Sequence, residues 1–142
     1  PNPHMRRRIE QRAASLGRSV EVRDGTAQAT GLSDASVDAI ISTLVLCSVP
    51  DLDATLTELR RVLRPGGRLV FIEHVRSCSR VGSAAQRLFR RPWAFAADGC
   101  QLDRDTGAAL SRAGFADVVY TRLSIPAPAR WLLPHISGHA VR

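Results

Sequence analysis

An α/β fold on a doubly wound, mostly parallel sheet is what this sequence predicts, and three observations predict it. Short apolar runs of strand length alternate along the chain with segments whose apolar residues recur at helical spacing. Residues 39–46 are a nearly unbroken apolar run, the pattern of a strand covered on both faces in a parallel sheet. The sequence opens on Pro1-Asn2-Pro3-His4, which reads as the turn off a strand into a helix. The expectation is therefore the second half of such a domain, a sheet lacking its first two strands.

Element by element, Asn2 suits an N-cap and Pro3 a first helical position, where its missing N–H goes unmissed. Met5, Ile9, Ala13 and Leu16 then share one helical face, and Gly17 supplies a left-handed stop. Val20 and Val22 alternate with Glu21 and Arg23, predicting a short strand that runs into Asp24-Gly25. After the apolar run, Pro50-Asp51 starts a helix whose inner face carries Leu52, Leu56, Leu59 and Leu63, with Arg60, Arg61 and Arg64 near its negative end. Pro65-Gly66-Gly67 predicts a sharp turn before a strand over residues 69–72, which finishes at Glu73-His74. Residues 77–102 have helical stretches at 84–89 and 93–97 without a clean period, as expected of a lid or cap. Asp103 is the expected cap of a helix closed by Gly114. Strands follow at 118–123 and 135–141, with a loop at 126–134 between them. No helix-length crossover joins that pair, so the final strand is expected to be antiparallel. All 142 residues read as part of one domain.

Composition narrows the function classes. All twenty basic residues are Arg, the net charge is +7, and aromatics are only 5%. Basic runs such as Arg6-Arg7-Arg8 carry no interleaved stacking residues, so they read as solvated faces and no nucleic acid is expected as a partner. Weak attraction to anionic membrane surfaces is compatible with the charge, and no apolar run has the roughly 20 residues of a membrane span. Cys47, Cys78 and Cys100 lack CxxC spacing, which argues against a disulfide framework or a zinc cluster and suits a reducing, cytoplasmic setting. The oligomeric state is left open.

In open α/β sheets the ligand lies beyond the C-terminal strand ends. Four stretches occupy that edge: Pro1-Asn2, residues 24–28, residues 42–49, and Glu73-His74. Any one alone reads as an ordinary strand-to-helix loop, and jointly they predict a single pocket. No G-x-G-x-x-G follows a strand, which removes the main signal for a dehydrogenase.

The run Val37-Asp38-Ala39-Ile40-Ile41-Ser42-Thr43-Leu44, followed by Glu58-Leu59-Arg60-Arg61-Val62-Leu63-Arg64-Pro65-Gly66-Gly67, resembles class I S-adenosyl-L-methionine-dependent methyltransferases. The second string is characteristic of the methyltransferase type 11 branch, which includes ubiquinone and menaquinone methyltransferases. Thr43-Leu44-Val45-Leu46-Cys47-Ser48-Val49, Asp98-Gly99-Cys100 and Pro134-His135-Ile136-Ser137-Gly138-His139-Ala140-Val141 narrow the likeness to the methyltransferase-like thiol S-methyltransferases, whose animal members are membrane-anchored. The resemblance implies a Rossmann-like fold, S-adenosyl-L-methionine as cofactor and a small-molecule methyl acceptor.

It also implies site residues by position. The glycine-rich cofactor loop and the acidic ribose ligand would stand before Pro1, leaving Pro1 and Asn2 beside the ribose. Gly25, Thr26, Ala27 and Gln28 match the segment flanking the adenine, where relatives often carry Asp in the place of Thr26; Ala27 N–H is left to serve the ring. Thr43, Leu44 and Ser48 match the wall beside the methionine part and the acceptor.

Methyl transfer from a sulfonium to a thiolate cancels opposite charges in the transition state, so a dry apolar wall such as Leu44-Val45-Leu46 favours it. A free thiol ionises near a pKa of about 8.5, so a nearby base would raise the thiolate fraction. His74 is the first candidate for that base and His135 the second, against plain strand-end and packing roles. Arg76 is a weaker candidate for favouring an anion. Cys47 and Cys100 read as small buried side chains without a triad, and no metal is expected. Three functions follow: a methyltransferase of a small lipophilic thiol; a C- or O-methyltransferase of a quinone, lipid or secondary metabolite; and a non-catalytic fragment with half of a cofactor pocket. Without its first strands the sheet would expose the apolar faces of residues 39–46 and aggregate readily.

Overall fold

The alternation of strand and helix produces the elements α1 (Pro3–Ser15), β1 (Val37–Thr43), α2 (Leu52–Val62), β2 (Leu63–His74), α3 (Arg80–Ala96), α4 (Thr106–Arg112), β3 (Ala116–Ser124) and β4 (Pro134–Val141). They are taken from a computed structural model that describes residues 3–124 and 133–142. The strands form one sheet in the order β1-β2-β4-β3. β1 and β2 are parallel, and β4 runs antiparallel to both β2 and β3, so three of the four strands share a direction. This is the α/β fold with an antiparallel final strand that the sequence predicted, and with two of the three strand pairings antiparallel the sheet is mixed.

The core lies on one face of the sheet. Leu69 and Phe71 of β2 and Ile136 and Ala140 of β4 alternate inward, where Leu56 and Leu59 of α2 and Ala109 and Leu110 of α4 cover them. Each fully buried Leu or Phe contributes about 1.5–3 kcal/mol. Helix α2 starts where it does because the Asp51 side chain accepts from Ala54 N–H, and its apolar spacing puts Leu56, Leu59 and Val62 on the sheet. Helix α4 is capped by Asp105, whose carboxylate accepts from Ala108 N–H. The expected cap, Asp103, instead lies 3.9 Å from Arg90 in an ion pair.

Other expectations need correcting. Val20 and Val22 form no strand: a strand needs a ladder partner, and no described residue pairs with them. Pro65-Gly66-Gly67 does not separate helix from strand. β2 already begins at Leu63, and Gly66, at φ +76°, helps take up a register shift between the Val37–Leu63 and Ala39–Arg68 pairs. The helical stretches at 84–89 and 93–97 are one helix, α3, with Pro92 inside it and Ser79 as its cap. Residues 39–46 are not covered on both faces, since Ile41 is 80% exposed. The apolar stripe of α1 is likewise half exposed at Met5, Ile9 and Leu16, although Gly17, at φ +61°, does end the helix as expected.

Candidate active site

A buried carboxylate shapes the loop at the C-terminal end of β1. Leu44 turns the chain with φ +54°, and its N–H still reaches Ile72 O at 2.9 Å. Glu73, fully buried at the end of β2, then accepts from Ser42 Oγ at 2.7 Å, Val45 N–H at 3.1 Å and Cys47 N–H at 3.0 Å. From the opposite side, Arg104 donates to Leu46 O at 2.7 Å and Val49 O at 2.6 Å. One anion thus takes the loop's hydroxyl and amides while one cation takes its carbonyls, which fixes residues 44–49 without regular structure.

Against that loop lies a cavity of about 590 Å³ lined by Thr26–Gln28, Leu44, Val45, Ser48, Val49, Pro50, Ala97 and Asp98. A second, of about 240 Å³, shares Leu44, Ser48 and Ala97 with it and adds Cys47, His74, Trp93, Cys100, Leu133 and His135. The loops after residue 23, β1 and β2 therefore open on one side of the molecule. The far wall comes from the end of α3. Asp98 (φ +49°) and Gly99 (φ +85°) reverse the chain there, with Gly99 N–H bonded to Ala94 O at 2.8 Å. Glycine fits at 99 because a Cβ would also lie 3.2 Å from Ser48 O.

Inside the smaller cavity His74 and His135, paired across β2 and β4, place their rings 5.4 Å apart. His74 Nδ1 lies 3.3 Å from Cys100 Sγ. Burial, and then the neighbouring His74, push the His135 pKa down, so its imidazole is held neutral. His135 Nδ1 is buried without a hydrogen bond of ordinary geometry, and the Leu133 backbone acts on the ring as a hydrogen-bond partner. The Cys47 thiol donates to Cys100, which holds Cys100 towards thiolate against the cost of burial, with His74 adding to the effect. Cys47, as donor and buried, is pushed up.

The sequence-predicted residues divide accordingly. Thr26, Ala27, Gln28, Leu44 and Ser48 line the large cavity, and His74 and His135 the small one. Gly25 is next in sequence to the lining. Thr43 is exposed at the end of β1 and lines neither cavity, because the turn at Leu44 directs the following residues inward in its stead. Pro1 and Asn2 lie outside the described residues. Arg76 is not at this site: it pairs with Asp105 at 3.0 Å and lines a separate cavity with Arg80, Arg87 and Arg122. Sequence reasoning placed Glu73 at this edge without a role and missed Arg104. A carboxylate closing an apolar strand was a visible signal for the first; Arg104 was one arginine among twenty. Among the described residues no cluster of His, Cys, Asp or Glu could hold a metal ion, and no helix is long and apolar enough to cross a membrane.

A parallel β1–β2 pair, an antiparallel closing strand and a cavity over the strand ends define an open-sheet α/β protein with a cavity at the edge where such folds bind ligands. Residues 1–71 match the family described as "Methyltransferase domain", and the chain belongs to that family, with the class I S-adenosylmethionine-dependent methyltransferase fold. It is 40% identical over 112 residues to thiol S-methyltransferase TMT1A of Homo sapiens and 45% identical over 116 residues to TMT1B of the same species. Each alignment covers 78% of this chain and 46% of the relative, so the chain spans about half the length of the curated relatives it matches. Among solved structures, a geranyl diphosphate methyltransferase in complex with S-adenosylmethionine superposes with a TM-score of 0.74 at 15% identity, over 99% of this chain and 66% of that one. The YcgJ protein of Bacillus subtilis gives a TM-score of 0.75 at 15% identity, over 99% and 79%. These two likenesses are of fold.

Proposed function

We propose that this chain forms one wall of a methyl-transfer site that uses S-adenosylmethionine and acts on small lipophilic thiols. The large cavity carries the reading. In a chain of net charge +7, the described residues that line it include no arginine, and Asp98 is their one charged side chain. Apolar walls with a single carboxylate fit a cofactor that joins an aromatic base to a cationic sulfonium. Thr26–Gln28 would flank the adenine, with Gly25 beside them in sequence, and Leu44 and Ser48 would hold the methionine end. Pro1 and Asn2 keep their assignment beside the ribose, and Thr43 supports Leu44 from the strand. When bound, the cofactor supplies a methyl group made electrophilic by its sulfonium.

The small cavity is the acceptor end. Leu44, Trp93, Ala97 and Leu133 exclude water from it, which suits a reaction in which opposite charges cancel. Its geometry supports taking His135 as the base ahead of His74. His74 Nδ1 is engaged with Cys100, whereas the neutral His135 has a ring nitrogen with which to take the thiol proton. The thiol S-methyltransferase relatives support the choice of acceptor. The test is transfer of labelled methyl from S-adenosylmethionine, in the protein that carries this chain, to a panel of alkyl thiols, quinones and hydroxylated acceptors. Labelled thioethers are expected; label on quinone or hydroxyl acceptors with none on any thiol would end the thiol reading.

A further inference from the structure

Methyl transfer leaves both sulfurs of the small cavity without a task. Cys47 sits on the loop after β1, and Cys100 follows the turn at the end of α3. Gln101 N–H donates to Cys47 O at 2.8 Å, which holds the two backbones side by side, and the thiols are hydrogen-bond partners. Facing backbones whose side chains line one small cavity are the neighbourhood in which a disulfide can form. Cys100 meets Cys47 from the β1 loop, His74 from β2, His135 from β4 and Trp93 from α3, while Glu73 and Arg104 act from further off. Trp93 Nε1 is buried there without a hydrogen bond of ordinary geometry. An imidazole 3.3 Å from one thiol and a second thiol donating to it are what a nucleophilic cysteine requires.

We propose that Cys100 and Cys47 form a dithiol that reduces small lipophilic disulfides inside this cavity, Cys100 attacking and Cys47 resolving. The Cys100 thiolate attacks one sulfur of R–S–S–R; the Cys100–S–R bond forms, the original S–S bond breaks, and one thiolate leaves to take a proton. Cys47 then gives up its proton to the second departing sulfur and attacks Cys100 Sγ, so that the mixed disulfide breaks and a Cys47–Cys100 disulfide forms. The substrate gains two electrons and becomes two thiols, and the cysteine pair loses two. A glutathione-type thiol in the medium restores the pair by two further exchanges. No methyl donor takes part, so failure of this inference and failure of the methyl-transfer reading are separate results.

The probe is 4,4′-dipyridyl disulfide at pH 5, with release of thiopyridone followed by absorbance. Cys78 is exposed, so the full chain is used as its Cys78→Ser variant. The same chain in concentrated urea is the reference, because an ordinary thiol of pKa about 8.5 is almost entirely protonated at that pH. The folded chain should react at least about tenfold faster than the urea reference, release two equivalents, and yield a linked Cys47–Cys100 peptide pair by mass spectrometry. Adding Cys47→Ser should stop the reaction at one equivalent with the probe attached to Cys100. Adding Cys100→Ser should remove the fast phase. Equal rates in the folded and urea samples, a fast phase that survives Cys100→Ser, or the absence of the linked peptide in the Cys78→Ser chain would each overturn the proposal.

Discussion

Glu73 settles the most at the scale of single residues, because one carboxylate accepts three hydrogen bonds that shape residues 42–47. Glu73→Gln keeps the volume but turns one acceptor oxygen into a donor facing an N–H or hydroxyl. Leaving such a buried group unpaired costs about 1–3 kcal/mol. Hydrogen exchange should therefore quicken at the Val45 and Cys47 amides first, ahead of those in the core of β2. His135 makes a second prediction. Burial and His74 push its pKa below the usual 6.5, so below that value the unfolded chain binds a proton that the folded chain refuses. Stability then falls as pH drops below about 6.5, and His135→Gln should flatten that limb in urea midpoints measured against pH. Reading at this scale put His74 and His135 at strand ends on one edge, and both line the small cavity there. It read Cys47 and Cys100 as buried, as they are, but not as neighbours, because their meeting depends on a turn at Asp98-Gly99 that joins distant parts of the chain.

Elements were legible where a periodic apolar face coincides with a cap and a partner. Helix α2 has all three: Asp51, the stripe through Leu56 and Leu59, and the sheet beneath. Asp51→Ala should cost about 1 kcal/mol of stability in urea denaturation, with the fold otherwise unchanged. Val20 and Val22 have the alternation of a strand and no ladder partner among the described residues, so their pattern decides nothing. Asp103 and Asp105 are both sound caps by composition, and only packing chooses the second. The join between β3 and β4 rests on a feature that residue type alone hid. A Cβ at Gly138 would come 2.6 Å from Tyr120 Cα and close on Val119 O, and one at Gly107 of α4 would come 2.7 Å from the Tyr120 ring. Tyr120 is thus received by two glycines, one from the sheet and one from the helix. Gly138→Ala should destabilise by about 3 kcal/mol or more in the same assay, since backbone atoms on a paired strand cannot withdraw.

For the whole molecule, the two faces of the sheet are treated unequally. One is sealed by α2 and α4, whereas on the other, among the described residues, only the end near His74 and His135 is covered, by the end of α3 and the turn after it. Further along that second face a cross-strand row runs Ile41, Val70, His139, Val119 over all four strands, and its apolar members are 80%, 43% and 55% exposed. β1 is also a sheet edge, with backbone groups unpaired on its outer side among the described residues. An apolar face that continues to an open edge favours association of chains through that side. The 142-residue chain should therefore bind an apolar dye such as ANS in its folded state, and its light scattering should rise with concentration more steeply than for a monomer. Ile41→Lys with Val119→Lys puts charge on the bare row and touches neither cavity, so it should lower both signals while leaving near-ultraviolet circular dichroism from Trp93 in place. Unchanged scattering in that double variant would mean that association runs through another surface, with the stripe of Met5, Ile9 and Leu16 on α1 the next to alter.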